Sequence, residues 1–188
     1  MTKHPCLEER RTLQQPFDAY LDIETTGLSS FYDDITVIGI CLANAGTGGH
    51  SRVIQLVGDD VTRANLLRSL RRVGTIYTYN GSRFDLPFID VRLGVNLSDH
   101  FNHHDLMRDC WRGNLYGGFK AVERQLHIPR RLQNIGGAEA VALWWRYCID
   151  DDREALSVLL EYNKEDVVNL MALRKRLQRF EYGPPLSQ

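Results

Sequence analysis

The sequence has few cysteines and no long apolar run. Its four cysteines lie far apart and form no C-x-x-C pair, so their spacing indicates neither a zinc site nor a disulfide framework. No apolar stretch is long enough to span a membrane, and the N-terminal segment MTKHPCLEERR lacks the apolar core of a signal peptide. We therefore expect a cytoplasmic protein with reduced cysteines and no membrane contact.

An excess of positive charge is missing too. The 23 Lys and Arg residues are balanced by 24 Asp and Glu, for a formal net charge of −1. This balance argues against a strongly basic nucleic-acid binder, but it permits an enzyme that meets phosphate through bound metal and a local basic patch. Basic clusters lie at Arg130-Arg131 and over 174–179. Two interpretations remain for each cluster, namely contact with phosphate and a solvated helix face.

Repeats, low-complexity tracts and long linkers are also absent, and 188 residues suit one hydrophobic core. We therefore predict a single domain over 1–188, with loose termini over about 1–12 and 181–188.

Hydrophobic periodicity predicts strands in the first half of the chain and helices in the second. Alternating or apolar runs indicate strands over 17–24, 35–43, 52–57 and 75–79. Helical spacing predicts helices over 61–73, 86–93, 119–127, 138–147 and from 153 to about 180. This order predicts an α/β protein, with a mixed central sheet flanked by helices.

Two carboxylates stand where the first predicted strand ends. Asp22 and Glu24 are two residues apart, so both side chains leave the same face of the strand. Catalytic groups of α/β sheets usually collect at such strand ends, although two solvated charges are the simpler reading of the pair alone. The polar turn that follows, Thr25-Thr26-Gly27, offers backbone N–H groups to a phosphate or terminal sugar.

Two further acids have informative positions. Asp85 lies at a strand-to-helix junction, where it could be a helix N-cap, a functional acid or both. Asp166 falls on the apolar stripe of the last helix, so burial requires a metal, a cationic partner or a raised pKa. A buried salt bridge to an arginine is the alternative to a metal. Tyr162 precedes Asp166 by one helical turn, as a core residue or as a phenol that positions water.

Four acids that converge would repel one another, and divalent cations are the usual remedy. Carboxylate ligands favour hard ions such as Mg²⁺ or Mn²⁺. Two such ions, roughly 4 Å apart, suit the in-line hydrolysis of a phosphodiester. The acid set therefore indicates a metal-dependent phosphodiesterase.

Three motifs in chain order resemble those of a known family. They are LDIETTGL at 21–28, YNGSRFDLPF at 79–88 and YNKED at 162–166. Together they resemble the DEDD 3′-to-5′ exonucleases of the RNase H-like superfamily, which include polymerase proofreading domains. The third motif has the form Y-x-x-x-D, which implies the DEDDy subclass. The stretch from about Tyr116 to Leu173 looks most like the YprB-type branch.

This resemblance implies an RNase H-like three-layer fold and a 3′-to-5′ exonuclease that acts on single-stranded DNA or RNA. It implies that Tyr162 orients the attacking water. The implied ligands of two Mg²⁺ or Mn²⁺ ions are Asp22, Glu24, Asp85 and Asp166. The implied contacts with the terminal nucleotides are Thr25, Thr26, Leu28 and Asn80.

Other residues and functions were weighed against this interpretation. His103 and His104 are interpreted as a surface pair in a polar loop. Trp144 and Trp145 are interpreted as residues that pack in the core and line a groove for a partner, rather than as residues that stack on bases. A lone lysine, Lys120, carries little information. A catalytically silent module that binds nucleic acid or a protein partner, and a structure-specific endonuclease, are the alternative functions.

Overall fold

The computed structural model describes residues 17–45 and 51–182 of the chain. Five strands form one mixed sheet: β1 Phe17–Thr25, β2 Ile35–Asn44, β3 Ser51–Val57, β4 Val73–Thr78 and β5 Asn102–Asp105. Their order across the sheet is β3-β2-β1-β4-β5. The first three strands pair antiparallel, whereas β4 runs parallel to β1, and β5 parallel to β4.

Six α-helices accompany the sheet: α1 Arg63–Ser69, α2 Asp85–Leu93, α3 Leu106–Arg112, α4 Phe119–Gln125, α5 Gly137–Asp150 and α6 Arg153–Tyr182. One face of the sheet packs against α1 and α2 through a cluster that includes Leu21, Leu66 and Phe88. The other face packs against α3, α4 and α6 through a cluster that includes Tyr20, Val122 and Leu170. The protein is therefore a three-layer α/β structure with a mixed central sheet flanked by helices, as predicted.

The central strand β1 is covered on both faces. Its alternation predicted one apolar and one polar face, and the apolar residues do pack under α1 and α2. The polar side is covered as well, because α6 crosses it and buries Asp18, Tyr20 and Glu24. Solvated charges at the strand end, the simpler reading of Asp22 and Glu24, are therefore wrong for Glu24.

The long helix α6 follows its predicted stripe. Side chains at three- and four-residue spacing are buried against the sheet: Leu159, Tyr162, Asp166, Leu170, Leu173 and Leu177. Helix α2 ends as predicted at Gly94, whose left-handed backbone (φ 62°) suits glycine.

Some boundaries differ from the predictions. Of the stretch 61–73 that was predicted as a helix, only Arg63–Ser69 is helical, and Val73 already belongs to β4. Strand β5 and helix α3 were not predicted, and His103 and His104 lie in β5 rather than in a loop. The predicted loose termini lie outside the described residues, apart from 181–182, which continue α6. Among the described helices, none has the length and apolarity to cross a bilayer.

Candidate active site

Three carboxylates meet where β1 ends. Asp22 and Glu24 project from β1 toward α6, which carries Asp166. Carboxylate oxygens of the three residues all lie within 4.8 Å of one another. The pairing of β1 with β2 shifts register between Glu24 and Thr25, a bulge that re-aims the chain where the site begins.

Asp85, on α2, lines the same cleft as these acids, but it is not one of the three whose carboxylate oxygens lie within 4.8 Å of one another. The helix N-cap is Phe84, which makes no side-chain capping bond, so the alternative of Asp85 as N-cap is wrong. Asp85 is instead the first helical residue, and its buried carboxylate accepts a hydrogen bond from the backbone of Ile23. Because Ile23 separates Asp22 from Glu24, this bond ties α2 directly to the acids of β1.

Burial and mutual repulsion make these acids hard to ionise. Burial, followed by the charges of neighbouring acids, raises the pKa of Asp22 and of Glu24 well above the usual range. Burial also raises the pKa of Asp85 to about 7 and that of Asp166 to about 6. For Asp166 the neighbouring Arg130 works in the opposite direction. A cluster of this kind gains from a bound cation.

Arg130 contributes one positive charge to the cluster. Its guanidinium donates two hydrogen bonds to Glu123, at 2.7 and 2.8 Å, and a further one to Asp166. Asn169 donates to Glu123 at 2.7 Å. All four side chains are buried. The buried salt bridge considered as an alternative for Asp166 is thus present, and it uses an arginine of the 130–131 cluster.

Asn163 is bound between the acids and the sheet. Its Nδ2 group lies 3.3 Å from the Asp22 carboxylate and 3.5 Å from that of Glu24. Gln55 donates to its Oδ1 at 3.0 Å. Gly39 on β2 makes this placement possible, because a Cβ atom there would lie 2.2 Å from the Asn163 oxygen. The amide therefore orients both carboxylates of β1.

Tyr162 faces the acid cluster from α6. Burial and the charge of Asp166 raise the pKa of its phenol far above the usual value, so the hydroxyl stays protonated at neutral pH. It can therefore donate a hydrogen bond but cannot act as a base. The Lys120 ammonium lies 4.6 Å from the centre of the Tyr162 ring, a cation–π contact that places a positive charge beside the site.

The acids line a cleft of about 390 Å³. Residues predicted to contact nucleic acid lie along it: Thr25, Leu28 and Asn80. Thr26 is not among the lining residues, and its hydroxyl accepts a hydrogen bond from the backbone N–H of Asp34 at 2.9 Å. A second opening shares Asp22, Tyr162 and Asp166 and extends the groove past Lys120 to the start of α5.

The turn that carries Asn80 is fixed by Asp105, the last residue of β5. The Asp105 carboxylate accepts the backbone N–H groups of Asn80 and Ser82, at 2.8 and 3.1 Å. Asn80 has a positive φ of 63°, which asparagine tolerates better than most residues. Asp105 therefore supports the loop between β4 and Asp85.

Sequence reasoning missed Asn163, Asp105, Glu123 and Arg130 as supports of the site. Asn163 had the clearest signal, because it lies in YNKED between two selected residues and shares their helix face. Arg130 stood out only as part of the basic pair Arg130-Arg131, and Asp105 and Glu123 had no signal, because the pattern of residue types does not show which side chains they contact.

The histidine and tryptophan pairs do not line the cleft, whereas Lys120, which carried little information in the sequence, lines the adjoining opening. His103 exchanges a hydrogen bond with Thr78 at 2.9 Å, and His104 contacts Asp109. Trp144 packs beside a small buried cluster, whereas Trp145 is exposed, so the prediction of core packing is right only for Trp144.

The donor set matches a hard divalent cation. Asp22, Glu24 and Asp166 offer carboxylate oxygens only, and their spacing allows all three to reach one ion. Burial, which is the largest cause of their raised pKa values, disfavours the ionised acids, and a bound cation would stabilise that ionised form. The residues therefore fit Mg²⁺ or a similar ion.

Comparison with known proteins agrees with this architecture. A family model described as RNase_H superfamily matches residues 19–178. The fold is similar to the family B DNA polymerase from the hyperthermophilic archaeon Pyrobaculum calidifontis, at 16% identity over 88% of this chain and 25% of the polymerase, with a TM-score of 0.65. This chain thus spans about a quarter of that protein.

Two further solved structures are similar. One is described as the apo form of a nuclease, with 23% identity over 88% of this chain and 74% of that one and a TM-score of 0.58. The other is NrnC from Brucella melitensis with bound Mg²⁺, with 20% identity over 93% and 90% of the two chains and a TM-score of 0.45. No curated protein matches the sequence.

Proposed function

The chain belongs to the RNase H superfamily, and from that premise we propose that it is a metal-dependent nuclease, a 3′-to-5′ exonuclease acting on single-stranded DNA or RNA. We assign it to the DEDDy type and the YprB-like branch. The ligands in this assignment are Asp22, Glu24, Asp85 and Asp166, and they hold two Mg²⁺ or Mn²⁺ ions. The assignment treats the chain as one catalytic domain.

One observation carries the proposal. Acids from β1 and α6, which are distant in the sequence, bring their carboxylate oxygens within 4.8 Å of one another beside a cleft. Asp85 is hydrogen-bonded to the same strand segment. Bringing like charges together on folding costs free energy, and bound divalent cations would offset that cost.

The chain's own side chains would orient the reactants. Divalent cations bound by the acids would activate the attacking water and stabilise the leaving 3′ oxygen. The Tyr162 hydroxyl, kept protonated by burial, would donate a hydrogen bond to that water and so fix its direction. Asn163 would keep the Asp22 and Glu24 carboxylates from turning away.

The substrate end would lie in the cleft. Leu28 and Asn80 line it on the side of the acids, and the polar turn Thr25-Thr26 follows Glu24 directly. These four residues are proposed to contact the terminal nucleotides. Lys120 lies in the adjoining part of the groove, where its charge can meet a phosphate.

The test is hydrolysis of 5′-labelled single-stranded DNA and RNA with Mg²⁺ or Mn²⁺. The wild type should produce a ladder that shortens from the 3′ end. Asp22→Asn and Asp166→Asn should lower the rate at least about a hundredfold, since each removes a charge on which cation binding depends. Asp59→Asn, an exposed acid on the surface, is the matched control and should leave the rate unchanged. Intact substrates under every metal condition would contradict the proposal.

A circular single strand separates the exonuclease from the endonuclease alternative. An exonuclease requires an end and should leave the circle intact, while it degrades the same strand once linearised. Conversion of the circle to a linear product, abolished by Asp22→Asn, would assign the site to an endonuclease.

A second candidate is a catalytically silent binding module. The contact between Arg130 and Asp166 favours it, because an internal cation already neutralises one of the acids. Calorimetric titration with Mg²⁺ or Mn²⁺ discriminates between the two functions. Absence of binding to the wild type would favour the module, whereas binding lost in Asp22→Asn favours the nuclease.

A further inference from the structure

The loop between β1 and β2 exposes three large apolar side chains. Leu28, Phe31 and Tyr32 are 88%, 75% and 89% exposed and lie within five residues of one another. Isolated exposed apolar residues are common, but a group this dense on one short loop marks a contact surface.

Hydrogen bonds hold the backbone of this loop in one conformation. Asp33 accepts a hydrogen bond from the Ser29 backbone at 2.8 Å and returns one to the Ser29 carbonyl at 2.8 Å. Asp34 donates to the Thr26 hydroxyl at 2.9 Å. A Cβ atom on Gly27 would lie 2.5 Å from the Asp33 carboxylate, so glycine allows the loop to close on itself. The exposed groups are therefore presented on an ordered turn.

The apolar loop is continuous with the candidate active site. Leu28 lines the cleft together with Glu24, Phe84 and Asp85. Phe31 and Tyr32 follow Leu28 within a turn closed by a hydrogen bond from Tyr32 to Ser29, at 3.1 Å. Phe31 and Tyr32 therefore lie three and four residues beyond a side chain that lines the cleft, on the same short turn.

The charges of the loop favour contact with bases over contact with phosphates. The loop carries Asp33 and Asp34 and no basic residue of its own. Asp34 is paired with Arg92 of α2, while Asp33 is hydrogen-bonded within the turn. The surface is thus apolar with a negative edge, which repels a phosphate backbone but accepts the flat apolar face of a base.

We propose that Phe31 and Tyr32 form a stacking platform for the unpaired bases next to the terminal nucleotide, in a single strand whose 3′ end occupies the acid cluster and contacts Leu28. This inference rests on the proposed nuclease function and specifies its substrate. Stacking on aromatic rings is tolerant of sequence, because every base has a π face. A duplex keeps its base faces inside its own stack, so the platform selects single strands over duplex ends.

The test compares the wild type with the double variant Phe31→Ala/Tyr32→Ala on three substrates. These are a single-stranded oligonucleotide, the same strand with abasic sites at the second to fourth positions from its 3′ end, and thymidine 5′-(p-nitrophenyl phosphate). Both truncated side chains are exposed, so the fold should be retained, with an unchanged melting temperature. Ile149→Ala, 75% exposed on α5, is the matched control for loss of an exposed apolar group.

The double variant should raise KM for the intact strand about tenfold or more, as expected when stacking of one or two bases is lost. The abasic strand should show the same rise with the wild type and no additional rise with the variant. Hydrolysis of the small ester should be unchanged, because its single base belongs to the terminal nucleotide at the acid cluster and no further base is present to stack on Phe31 and Tyr32.

Equal KM values for wild type and variant on the intact strand, with the ester still cleaved, would overturn the platform and leave the nuclease standing. That result would assign the loop to a protein contact. If the wild type cleaves neither substrate, the nuclease proposal fails. Fluorescence anisotropy with a labelled single strand then decides the platform alone, since equal affinity of wild type and variant would overturn it.

Discussion

At the scale of single residues, Gly39 on β2 decides where the Asn163 side chain can lie. The amide fills the space that a Cβ atom of residue 39 would take, and from there it reaches the carboxylates of Asp22 and Glu24. A residue without a side chain thus controls the orientation of two acids on the neighbouring strand.

Gly39→Ala should destabilise the protein by about 1–3 kcal/mol, the usual effect of overpacking a filled core. It should also lower nuclease activity, because the displaced Asn163 no longer holds the acids. Denaturant unfolding monitors the first effect, and oligonucleotide hydrolysis the second.

A second substitution, at Asn163, separates the clash between the new Cβ atom and the Asn163 side chain from other effects of the alanine. Adding Asn163→Ala should restore part of the lost stability without restoring activity. Gly137→Ala is the control, because a Cβ there meets nothing within 4 Å, and its stability should match the wild type within about 0.5 kcal/mol. If Gly39→Ala were as stable as the wild type, the Asn163 side chain would have to adopt another position at no cost in stability.

The amino-acid sequence was enough to select the candidate acids. Asp22 and Glu24 stand out by their spacing on a strand, and Asp166 by its place on an apolar stripe. The partner of Asp166 could not be selected, because any arginine of the chain could have supplied the charge. Only the folded chain brings Arg130 across 36 residues to Asp166.

At the scale of elements, helix α4 and the segment after it form a charged support for α6. Glu123 and Arg130 lie seven residues apart and pair twice, and Asn169 of α6 joins Glu123. Because the ions are buried, each depends on the others for compensation.

Arg130→Met should destabilise the protein by about 3–5 kcal/mol, because it leaves buried carboxylates without their cation. The double variant Glu123→Gln/Arg130→Met should be less destabilised than the sum of the two single changes. Arg131→Met is a matched control, since Arg131 is exposed and its pair with Glu161 should contribute less than about 1 kcal/mol. Equal losses for the two arginines in urea unfolding would refute the buried network.

The predictability of elements followed their length and pattern. Helix α6 was predicted because its stripe repeats over many turns, so chance matches are rare. Strand β5 has four polar residues, Asn-His-His-Asp, and joins the sheet through backbone pairing with β4. Pairing through the backbone does not require apolar side chains, so β5 lacks the alternating pattern that identifies a strand. This is why β5 was missed and its histidines were assigned to a loop.

At the scale of the whole molecule, the acid cluster should make stability depend on pH. The folded pKa values of Asp85 and Asp166, about 7 and about 6, lie above the value of 3.8 expected for an unfolded chain. Between these values the folded protein retains protons that the unfolded chain has lost. This contribution to stability is therefore complete below about pH 4 and is lost as the pH rises through about 6 to 7.

In EDTA, the melting temperature of the wild type should fall relative to that of Asp85→Asn as the pH increases from 4 to 8. The variant removes one titrating group, so the difference isolates its contribution, which amounts to several kcal/mol. Saturating Mg²⁺ should raise the wild-type melting temperature most at pH 8, where the acids are ionised. A pH-independent difference between the two proteins would show that Asp85 titrates normally.

The layer architecture could be predicted from the order of strands and helices, because this order is compatible with few arrangements of a mixed sheet. The stacking of α4 and α6 on the face of β1 that carries Asp22 was not accessible. That packing depends on side-chain complementarity between distant segments, which local periodicity does not encode.

The acid cluster draws on both the first strand and the last helix of the described fold. A ribosome makes Asp22 and Glu24 early, whereas Tyr162 and Asp166 exist only after it has translated into the last helix, α6. A nuclease assembled in this way has no working site on the unfinished polypeptide. The proposed nuclease would therefore leave its own messenger RNA intact during translation, and its activity would begin only after Asp166 has been made and has folded against β1.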